Sequence, residues 1–406
     1  MRMKKWLLSG VCIILVLSML ISVGCGESST STPPSSSEPE TLDIGVAVSL
    51  TGWIGTWCTL LYHEAQEMEE IINDNGGITI NGQQYLINLV VEDGKSSQDG
   101  TNEAVTRLIY NDNVKFVIGP ECLWSLGTNS ITESNNILRV KYGNSNMTGE
   151  LDENTPYTFV AFGGGVEFSQ ACVNYLASAY PDVKTIVIVF PDDGSAINLT
   201  PVITQMLKNE GITVLGDTIL YANDATDFSP LAARIVARNA DGIFWVNGIA
   251  PQMGATLKAL HELGYNGVFA LAAPISAADV MTVSGKGAAT NFFSVGFDNA
   301  VPGLPAITTQ LMQQCEAKYN TTTISFQIAT SLYTLVQVIE QAQSIDPTVV
   351  RDAWEKMTTV DTLFGPGTMG GLQTYGINHV VAHPLPIMIL NNGNVEYGPW
   401  QIYSIP

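Results

Sequence analysis

From residue 42 to its end, the sequence alternates short apolar runs with amphipathic segments, and this alternation restricts the possible folds more than any other feature. The first unit shows the pattern clearly. Residues 42–49 read as a strand, residues 57–73 read as a helix with one apolar face, and Asn75, Gly76 and Gly77 end that helix. Strands that alternate with helices predict a parallel sheet that is covered by helices on both faces.

The same alternation continues through the rest of the chain. Further strands are predicted at 85–92, 114–118, 137–141, 185–190, 242–246 and 268–271. Further helices are predicted at 100–111, 169–180, 199–209, 251–263, 326–342 and 349–357. Residues 379–403 read as strands interrupted at 391–393. About 365 residues follow the first 41, which is too many for one ordinary domain. The sequence therefore predicts an α/β protein with two doubly wound sheets and two separate cores.

The N-terminus has the layout of an export signal. Three basic residues lie among the first five, nineteen uncharged residues come next, and Cys25 follows them. A membrane-spanning anchor is the alternative, because the uncharged run is nearly long enough to cross a bilayer. Residues 21–24 resemble the lipobox of bacterial lipoproteins, although Ser22 stands where Leu is usual. The resemblance implies a lipoprotein signal peptide over 1–25, lipidation of Cys25, and an extracytoplasmic protein held at a bacterial membrane.

Residues 26–41 separate this signal from the first predicted strand. They are mostly Ser, Thr and Pro, and they contain no apolar side chain that could begin a core. This composition predicts a flexible tether.

The charge of the chain excludes one class of partner. The formal net charge is −21 at pH 7, and removal of the three basic residues of the signal leaves −24. A surface this acidic repels polyanions. We therefore expect neither nucleic acid nor an acidic membrane surface as a partner.

The cysteines do not form a metal-binding or redox motif. Besides Cys25 and one cysteine in the signal, four remain: Cys58, Cys122, Cys172 and Cys315. No two of them have C-x-x-C spacing, and four are too few for a disulfide scaffold. Cys58 and Cys122 fall in loops that we expect side by side, so both a disulfide and two free thiols stay open.

Six short motifs, in a fixed order, carry a resemblance to a known family. They lie at 43–52, 75–77, 89–93, 117–120, 225–229 and 263–264. In this order they resemble a family of substrate-binding proteins of ABC importers. The family binds branched-chain and hydrophobic amino acids, and its members are similar to the leucine-binding protein. Each motif alone is weak, but together they run from residue 42 nearly to the end of the chain.

The resemblance implies the periplasmic binding protein type I fold, a clamshell of two Rossmann-like α/β lobes joined by three crossovers. Lobe 1 is then 42–162 plus 297–370, and lobe 2 is 163–296 plus 371–406. A small molecule binds between the lobes, at the carboxyl ends of the strands, and lobe closure signals its presence. The implied partners are the permease and ATPase subunits of a transporter, and the implied form is a monomer.

The resemblance also assigns binding roles, position by position. In the family, a serine after the third strand holds the ligand carboxylate, but Leu123 stands here, beside Trp124 and Ser125. The second carboxylate-binding turn corresponds to Gly143, Asn144 and Ser145, and Ser145 keeps a hydroxyl. Two further positions carry ligand contacts in the family: an aromatic residue in the first loop, here Trp57, and a carboxylate at the entry to the second lobe, here Glu167.

Three positions of the second lobe depart from the family pattern. Ala273 stands where the family has its decisive acid, and Ser195 and Ile249 stand where it has two tyrosines that close over the ligand. A buried ammonium group without a carboxylate partner costs several kcal/mol. We therefore expect a ligand without an α-ammonium group. Because Glu167 could still pair with one cation, a true amino-acid binder is the alternative.

The remaining residues expected around the cleft are bulky. They are Trp53, Trp57, Trp124, Tyr142, Phe162 and Phe168, together with the cation of Lys141. Aromatic walls suit an apolar or aromatic body, and a lysine suits a carboxylate. The specific prediction is an aromatic or hydrophobic carboxylate. In the alternative, the aromatic residues only pack the loops, and Lys141 faces solvent or pairs with a surface acid.

Catalytic motifs are missing from the sequence. His379 and His383 have strand-like spacing, which would hold their rings far apart and predicts no metal site. Gly365, Gly367 and Gly370 match a dinucleotide pattern but surround Pro366, so we predict a turn. We therefore expect neither a bound cofactor nor enzymatic activity. The alternative from another functional class is a ligand-sensing receptor domain of the same fold. A third possibility, an extracytoplasmic hydrolase, would require the purified protein to turn over a substrate.

Overall fold

The computed structural model describes residues 38–143, 149–192, 194–296, 300–321 and 326–405. Its first part contains β1 (Glu40–Val48), α1 (Gly55–Asp74), β2 (Ile78–Ile80), β3 (Gln83–Asp93), α2 (Gln98–Tyr110), β4 (Phe116–Glu121), α3 (Cys122–Ser134), β5 (Leu138–Tyr142) and β6 (Thr158–Phe162). The strand and helix alternation predicted for this part is confirmed, with bounds that differ by a few residues. Cys25 and the signal lie outside the described residues.

The middle of the chain repeats the alternation. It contains α4 (Gly165–Ala179), β7 (Thr185–Pro191), α5 (Ser195–Asn209), β8 (Thr213–Val214), β9 (Ile219–Tyr221), α6 (Ser229–Val236), β10 (Gly242–Val246), α7 (Ala250–Glu262), β11 (Val268–Ala272), α8 (Ala277–Ser284) and β12 (Phe292–Val295).

The last part mixes helices with antiparallel strands. It contains α9 (Ala306–Tyr319), α10 (Gln327–Ala342), α11 (Pro347–Trp354), β13 (Thr359–Thr362), β14 (Gly365–Gly370), α12 (Leu372–Tyr375), β15 (Val380–Ala382), β16 (Ile387–Asn391) and β17 (Asn394–Tyr397).

The strands form two sheets, as predicted. The first sheet has the order β13-β14-β15-β6-β5-β4-β1-β3-β2, and the second has the order β17-β16-β12-β11-β10-β7-β8, with β9 beside β7. The central strands of both sheets are parallel. Antiparallel strands occupy both edges of the first sheet and the β17 edge of the second, whose other edge, β8, is parallel to β7. The chain passes between the sheets three times, after β6, after β12 and after β15. The predicted two-lobed α/β fold with three crossovers is therefore confirmed.

Three details of the sequence interpretation are wrong. β1 already begins at Glu40, so the tether does not extend to residue 41. Segment 371–406 does not lie wholly with the second sheet, because β15 pairs with β6 of the first sheet. The glycines of 365–370 form strand β14 rather than the predicted turn. This strand pairs with β13 on one side and β15 on the other. A Cβ atom at Gly367 would lie 2.6 Å from a methyl group of Val381, so glycine permits this close strand pairing.

The expected separation into two cores is also wrong. The largest cluster of buried apolar residues contains Val46 of the first sheet and Ile188 of the second, together with Phe162 and Phe168. Phe162 and Phe168 lie on either side of the first crossover, with ring centroids 5.6 Å apart. Apolar packing therefore continues through the crossover, while the remaining faces of the two sheets have smaller clusters of their own.

Within the described residues, none of the helices combines the length and the apolar character that a membrane span requires.

Candidate functional site

In each sheet the parallel strands end at a common carboxyl edge, and the first crossover leaves the first sheet from that edge. In the first sheet β1, β3, β4, β5 and β6 are parallel, and in the second β7, β10, β11 and β12 are parallel. Two residues, Gly163 and Gly164, separate the carboxyl end of β6 from the first residue of α4. Open α/β sheets bind small ligands at such carboxyl edges. This junction is the candidate site.

Large apolar side chains are exposed at the carboxyl edges of both sheets. On the first sheet, Trp53 is 73% exposed just before α1, and Trp57 is 41% exposed in its first turn. On the second sheet, Ile197 is 78% exposed in the first turn of α5, and Ile249 is 57% exposed at the start of α7. Leu123 and Leu126 of α3 add to the first group. Exposed apolar patches often mark interaction sites, and these side chains all follow the carboxyl ends of strands.

The aromatic residues expected in the cleft fall into two groups. Trp53 and Trp124 meet edge to face, with ring centroids 6.5 Å apart, and Trp124 is half-buried. Phe162 and Phe168 are buried and pack against each other at the crossover. The tryptophans are therefore available to a ligand, whereas the two phenylalanines stabilise the junction.

A buried arginine that the sequence patterns did not single out fixes the position of α3. The guanidinium of Arg139 donates to the Ser125 carbonyl (3.1 Å) and to the hydroxyls of Thr128 (2.6 Å) and Thr158 (2.9 Å), and it also bonds Asn129. Burial lowers the pKa of Arg139 to about 10, against the opposing charges of nearby carboxylates. The Ser125 hydroxyl is buried and has no hydrogen-bond partner among the described residues.

The predicted cation Lys141 lies in a buried ion pair. Its Nζ is 2.5 Å from Oε1 of Glu150, and both side chains are fully buried. Burial lowers the pKa of Lys141, while the charge of Glu150 opposes that shift. Lys141 therefore neither faces solvent nor pairs with a surface acid. Nothing in its sequence neighbourhood indicates Glu150, nine residues away, as the partner.

Glu167 lies directly after the first crossover, in the first turn of α4. Its Oε2 accepts a hydrogen bond of 2.7 Å from the backbone N–H of Gly164. Burial raises the pKa of Glu167, and the negative charge of Glu150 acts in the same direction. Its Oε1, like the hydroxyl of Tyr403, is buried without a hydrogen-bond partner in the part of the chain that the structure describes. Glu167 therefore has one oxygen to offer to a donor.

At the carboxyl edge of the second sheet, neutral groups follow β10 and β11, while the exposed Asp192 follows β7. Asn247, which follows β10 with φ of +62°, donates to the hydroxyl of Ser195 (3.3 Å). The N–H of Ile249 donates to Oε1 of Gln252 (3.3 Å), and Ala273 is buried directly after β11. Asn247 was missed from the sequence, although an Asn-Gly pair after a buried strand is a recognisable turn signal.

Gly143 belongs to the turn after β5. It is buried with φ of +77°, a conformation that favours glycine, and its N–H donates to the Phe162 carbonyl (3.2 Å). Asn144 and Ser145, predicted to continue this turn, lie outside the described residues.

Cys58 and two of the histidines make hydrogen bonds inside the fold. Cys58 is a free thiol, so it forms no disulfide with Cys122, and it donates to Glu121 (3.1 Å). His379 bonds the Thr158 carbonyl and Glu355, each at 2.8 Å, and His383 bonds the Pro384 carbonyl. Burial lowers the pKa of His383 to about 4. Across the described ranges, no group of three or more His, Cys, Asp or Glu residues is arranged to hold a metal ion.

Comparison with known families agrees with this architecture. A sequence model described as periplasmic binding protein matches residues 41–394. The chain belongs to the periplasmic binding protein family. All six motifs that carry the resemblance lie inside the matched range.

Solved structures share this fold at low sequence identity. A leucine-binding protein from Thermotoga maritima has 17% identity and a TM-score of 0.68, and the match covers 88% of this chain and 98% of that one. A Rhodopseudomonas palustris solute-binding protein, solved with 4-hydroxybenzoate, has 16% identity and a TM-score of 0.70, with coverage of 90% and 98%.

A curated sequence relative is the leucine-, isoleucine-, valine-, threonine- and alanine-binding protein of Pseudomonas aeruginosa. It is 23% identical over 249 residues, which cover 61% of this chain and 64% of that protein. The match therefore covers slightly less than two thirds of the relative.

The buried pair Lys141–Glu150 gives a stability prediction. Replacement Lys141→Met leaves the Glu150 carboxylate buried without its cation, so the free energy of unfolding should fall by about 3–5 kcal/mol. The double replacement Lys141→Met with Glu150→Leu should recover most of this loss. Chemical denaturation followed by circular dichroism measures both.

The exposed pair Lys95–Glu103, at 3.0 Å, provides the matched control. Lys95→Met should leave the unfolding midpoint unchanged, because solvent screens an exposed pair. An equally small effect of Lys141→Met would contradict the burial of its partner.

Proposed function

We propose that this chain is the extracytoplasmic solute-binding lipoprotein of an ABC importer, and that its ligand is an aromatic or hydrophobic carboxylate. The observation that supports this most directly is the exposure of Trp53, Trp57, Ile197 and Ile249 at the carboxyl edges of the two sheets. Lobe closure around a ligand removes these side chains from water. The protein captures its ligand without changing it chemically.

The wall of the first lobe favours a ring. Trp53 and Trp124 already meet edge to face, and Trp57 is exposed in the adjacent helix. Aromatic groups pack well against such surfaces and add a geometric preference to the apolar contact. The solved relative from Rhodopseudomonas palustris, whose structure contains 4-hydroxybenzoate, provides a precedent within the same fold.

The polar end of the ligand meets the charges near β5. Lys141 is the proposed cation for the ligand carboxylate; because its side chain is fully buried against Glu150, the ligand carboxylate would have to take the place of that partner. The raised pKa of Glu167 favours the neutral form of that acid, which reduces its repulsion of a carboxylate. Ala273 supplies no charge for an α-ammonium group. Ser125, Gly143, Asn144, Ser145 and Ser195 remain proposed neutral contacts.

An amino-acid ligand is the second candidate, and one observation favours it. Oε1 of Glu167 is buried without a partner among the described residues, so it could accept from an ammonium group. The name of the Pseudomonas aeruginosa relative points in the same direction.

The location and the partners belong to the same proposal. Cys25 would carry the lipid, residues beyond it would tether the lobes to the membrane, and permease and ATPase subunits would receive the ligand. The proposed functional form is a monomer.

A thermal-shift titration tests the choice of ligand. Purified protein is titrated with 4-hydroxybenzoate, benzoate and phenylacetate, and in parallel with leucine and valine. Ligand that binds only the folded state raises the melting temperature. We expect the aryl acids to raise it and the amino acids to leave it unchanged. A shift with leucine or valine alone would reject the aromatic carboxylate in favour of the second candidate.

Trp57 provides a test of the site itself. Removal of a large apolar side chain that closure buries costs about 1.5–3 kcal/mol. Trp57→Ala should therefore weaken binding of the most effective aryl acid by about ten- to hundredfold in isothermal titration calorimetry. Tyr110→Ala is the control, because Tyr110 is an exposed aromatic residue at the last position of α2, away from the carboxyl edge. Equal affinities of the Trp57 variant and the wild type would remove Trp57 from the site.

A further inference from the structure

The segment 49–54, called here the Trp loop, connects β1 to α1 and has no regular secondary structure of its own. It carries Trp53 and leads directly to Trp57. The direction of the Trp53 ring and the start of the helix that carries Trp57 therefore depend on what fixes this loop.

Two carboxylates bind three consecutive backbone amides of the Trp loop. The N–H of Ser49 donates to Oε1 of Glu121 (2.6 Å), and the N–H groups of Leu50 and Thr51 donate to Oδ1 of Asp93 (2.9 and 3.3 Å). Glu121 and Asp93 are the last residues of β4 and β3, the two strands that flank β1. Carboxylates at the ends of both neighbouring strands therefore hold the loop where the strand pairing stops.

Asp93 makes further bonds on both sides of its carboxylate. Its Oδ2 accepts from the hydroxyl of Thr51 (2.6 Å), and its Oδ1 accepts from the N–H of Lys95 (2.8 Å). Burial alone raises the pKa of Asp93, but the hydrogen bonds from Thr51, Lys95 and Leu50 together lower it below its usual value. The folded loop therefore stabilises the ionised form, and the ionised form in turn stabilises the loop.

Ser96 completes the contacts from the β3 side. Its hydroxyl donates to the carbonyl of Thr51 (2.6 Å) and accepts from the N–H of Ile54 (3.4 Å). Gly52 has φ of +90°, and a Cβ atom there would lie 2.5 Å from the Ser96 oxygen. The loop therefore lies tightly against the end of β3.

We infer that Asp93 is a positioning residue for ligand recognition: without touching the ligand, it holds the Trp loop so that Trp53 and Trp57 face the cleft in a fixed arrangement. Glu121 has the complementary role at Ser49 and at Cys58 in the first turn of α1. Because the chain's own carboxylates already bind the amides of 49–51, these three N–H groups are not available to a ligand. This inference rests on the proposed function only in taking the tryptophans as ligand contacts.

The first experiment measures the Trp loop without any ligand. The full chain is labelled with 5-fluorotryptophan, and the fluorine NMR signals of Trp53 and Trp57 are assigned with Trp53→Phe and Trp57→Phe. Asp93→Ala should shift or broaden both signals, while Asp93→Asn, which keeps an acceptor oxygen for the amides, should restore them largely. Asp43→Ala should change neither. Asp43 is the matched control because it bonds Asn88 across the same two strands, nearer their amino ends.

The second experiment measures affinity for 4-hydroxybenzoate by isothermal titration calorimetry. If loss of Asp93 leaves the binding-competent loop populated about a tenth of the time or less, affinity falls by about tenfold or more. We expect that loss in Asp93→Ala, a smaller loss in Asp93→Asn, and none in Asp43→Ala. Unchanged fluorine signals together with unchanged affinity in Asp93→Ala would overturn the inference.

Different results would contradict the proposed ligand and the proposed role of Asp93. If the wild type does not bind 4-hydroxybenzoate, the proposed ligand is wrong, while the ligand-free fluorine signals still decide the role of Asp93. If Asp93→Ala does not fold by circular dichroism, Ser96→Ala replaces it, because that variant removes two bonds to the same loop. Unchanged Trp53 and Trp57 signals in Ser96→Ala would then count against the inference.

Discussion

Parallel strand pairing is the constraint on which the rest of the structure depends. Within each sheet it forces strands that are distant in sequence to end at one edge, so the loops after β1 and β4 lie together on the first sheet and the loops after β7 and β10 lie together on the second. The three crossovers then join the two sheets, the first of them leaving from the carboxyl edge itself. A chain with this topology offers a binding site for a small molecule at its carboxyl edges, and the side chains there determine which molecule binds.

Charged side chains have different roles at the carboxyl edges of the two lobes. On the first lobe, Arg139 and Lys141 are buried on one face of β5, and their bonds to α3 and to Glu150 compensate the cost of burial. Asp93 and Glu121 are used to hold backbone amides. On the second lobe, Asn247, Ser195 and Gln252 supply neutral contacts. Exposed apolar side chains lie on both sides, which agrees with the proposed ligand, mainly hydrophobic with one charged end.

Local features of the fold could be predicted from the sequence, and non-local ones could not. Helix α1 and strand β10 were predicted within a few residues, because their apolar spacing is contained in the segments themselves. The placement of β15 beside β6 depends on pairing across more than two hundred residues, which no local pattern encodes. The same reason explains the site. Trp57 and Ala273 were identified by resemblance, whereas the Lys141–Glu150 pair and the bonds of Asp93 to the Trp loop appear only when separate strands are brought together.

The central claim is that the carboxyl edges of the two lobes close around an aromatic carboxylate. A crystal structure of the protein with 4-hydroxybenzoate tests this most directly. The account predicts electron density between the lobes, with the ring against Trp57 and Trp124 and the carboxylate near Lys141. A ring bound elsewhere on the surface, or an empty cleft at saturating concentration, would contradict it.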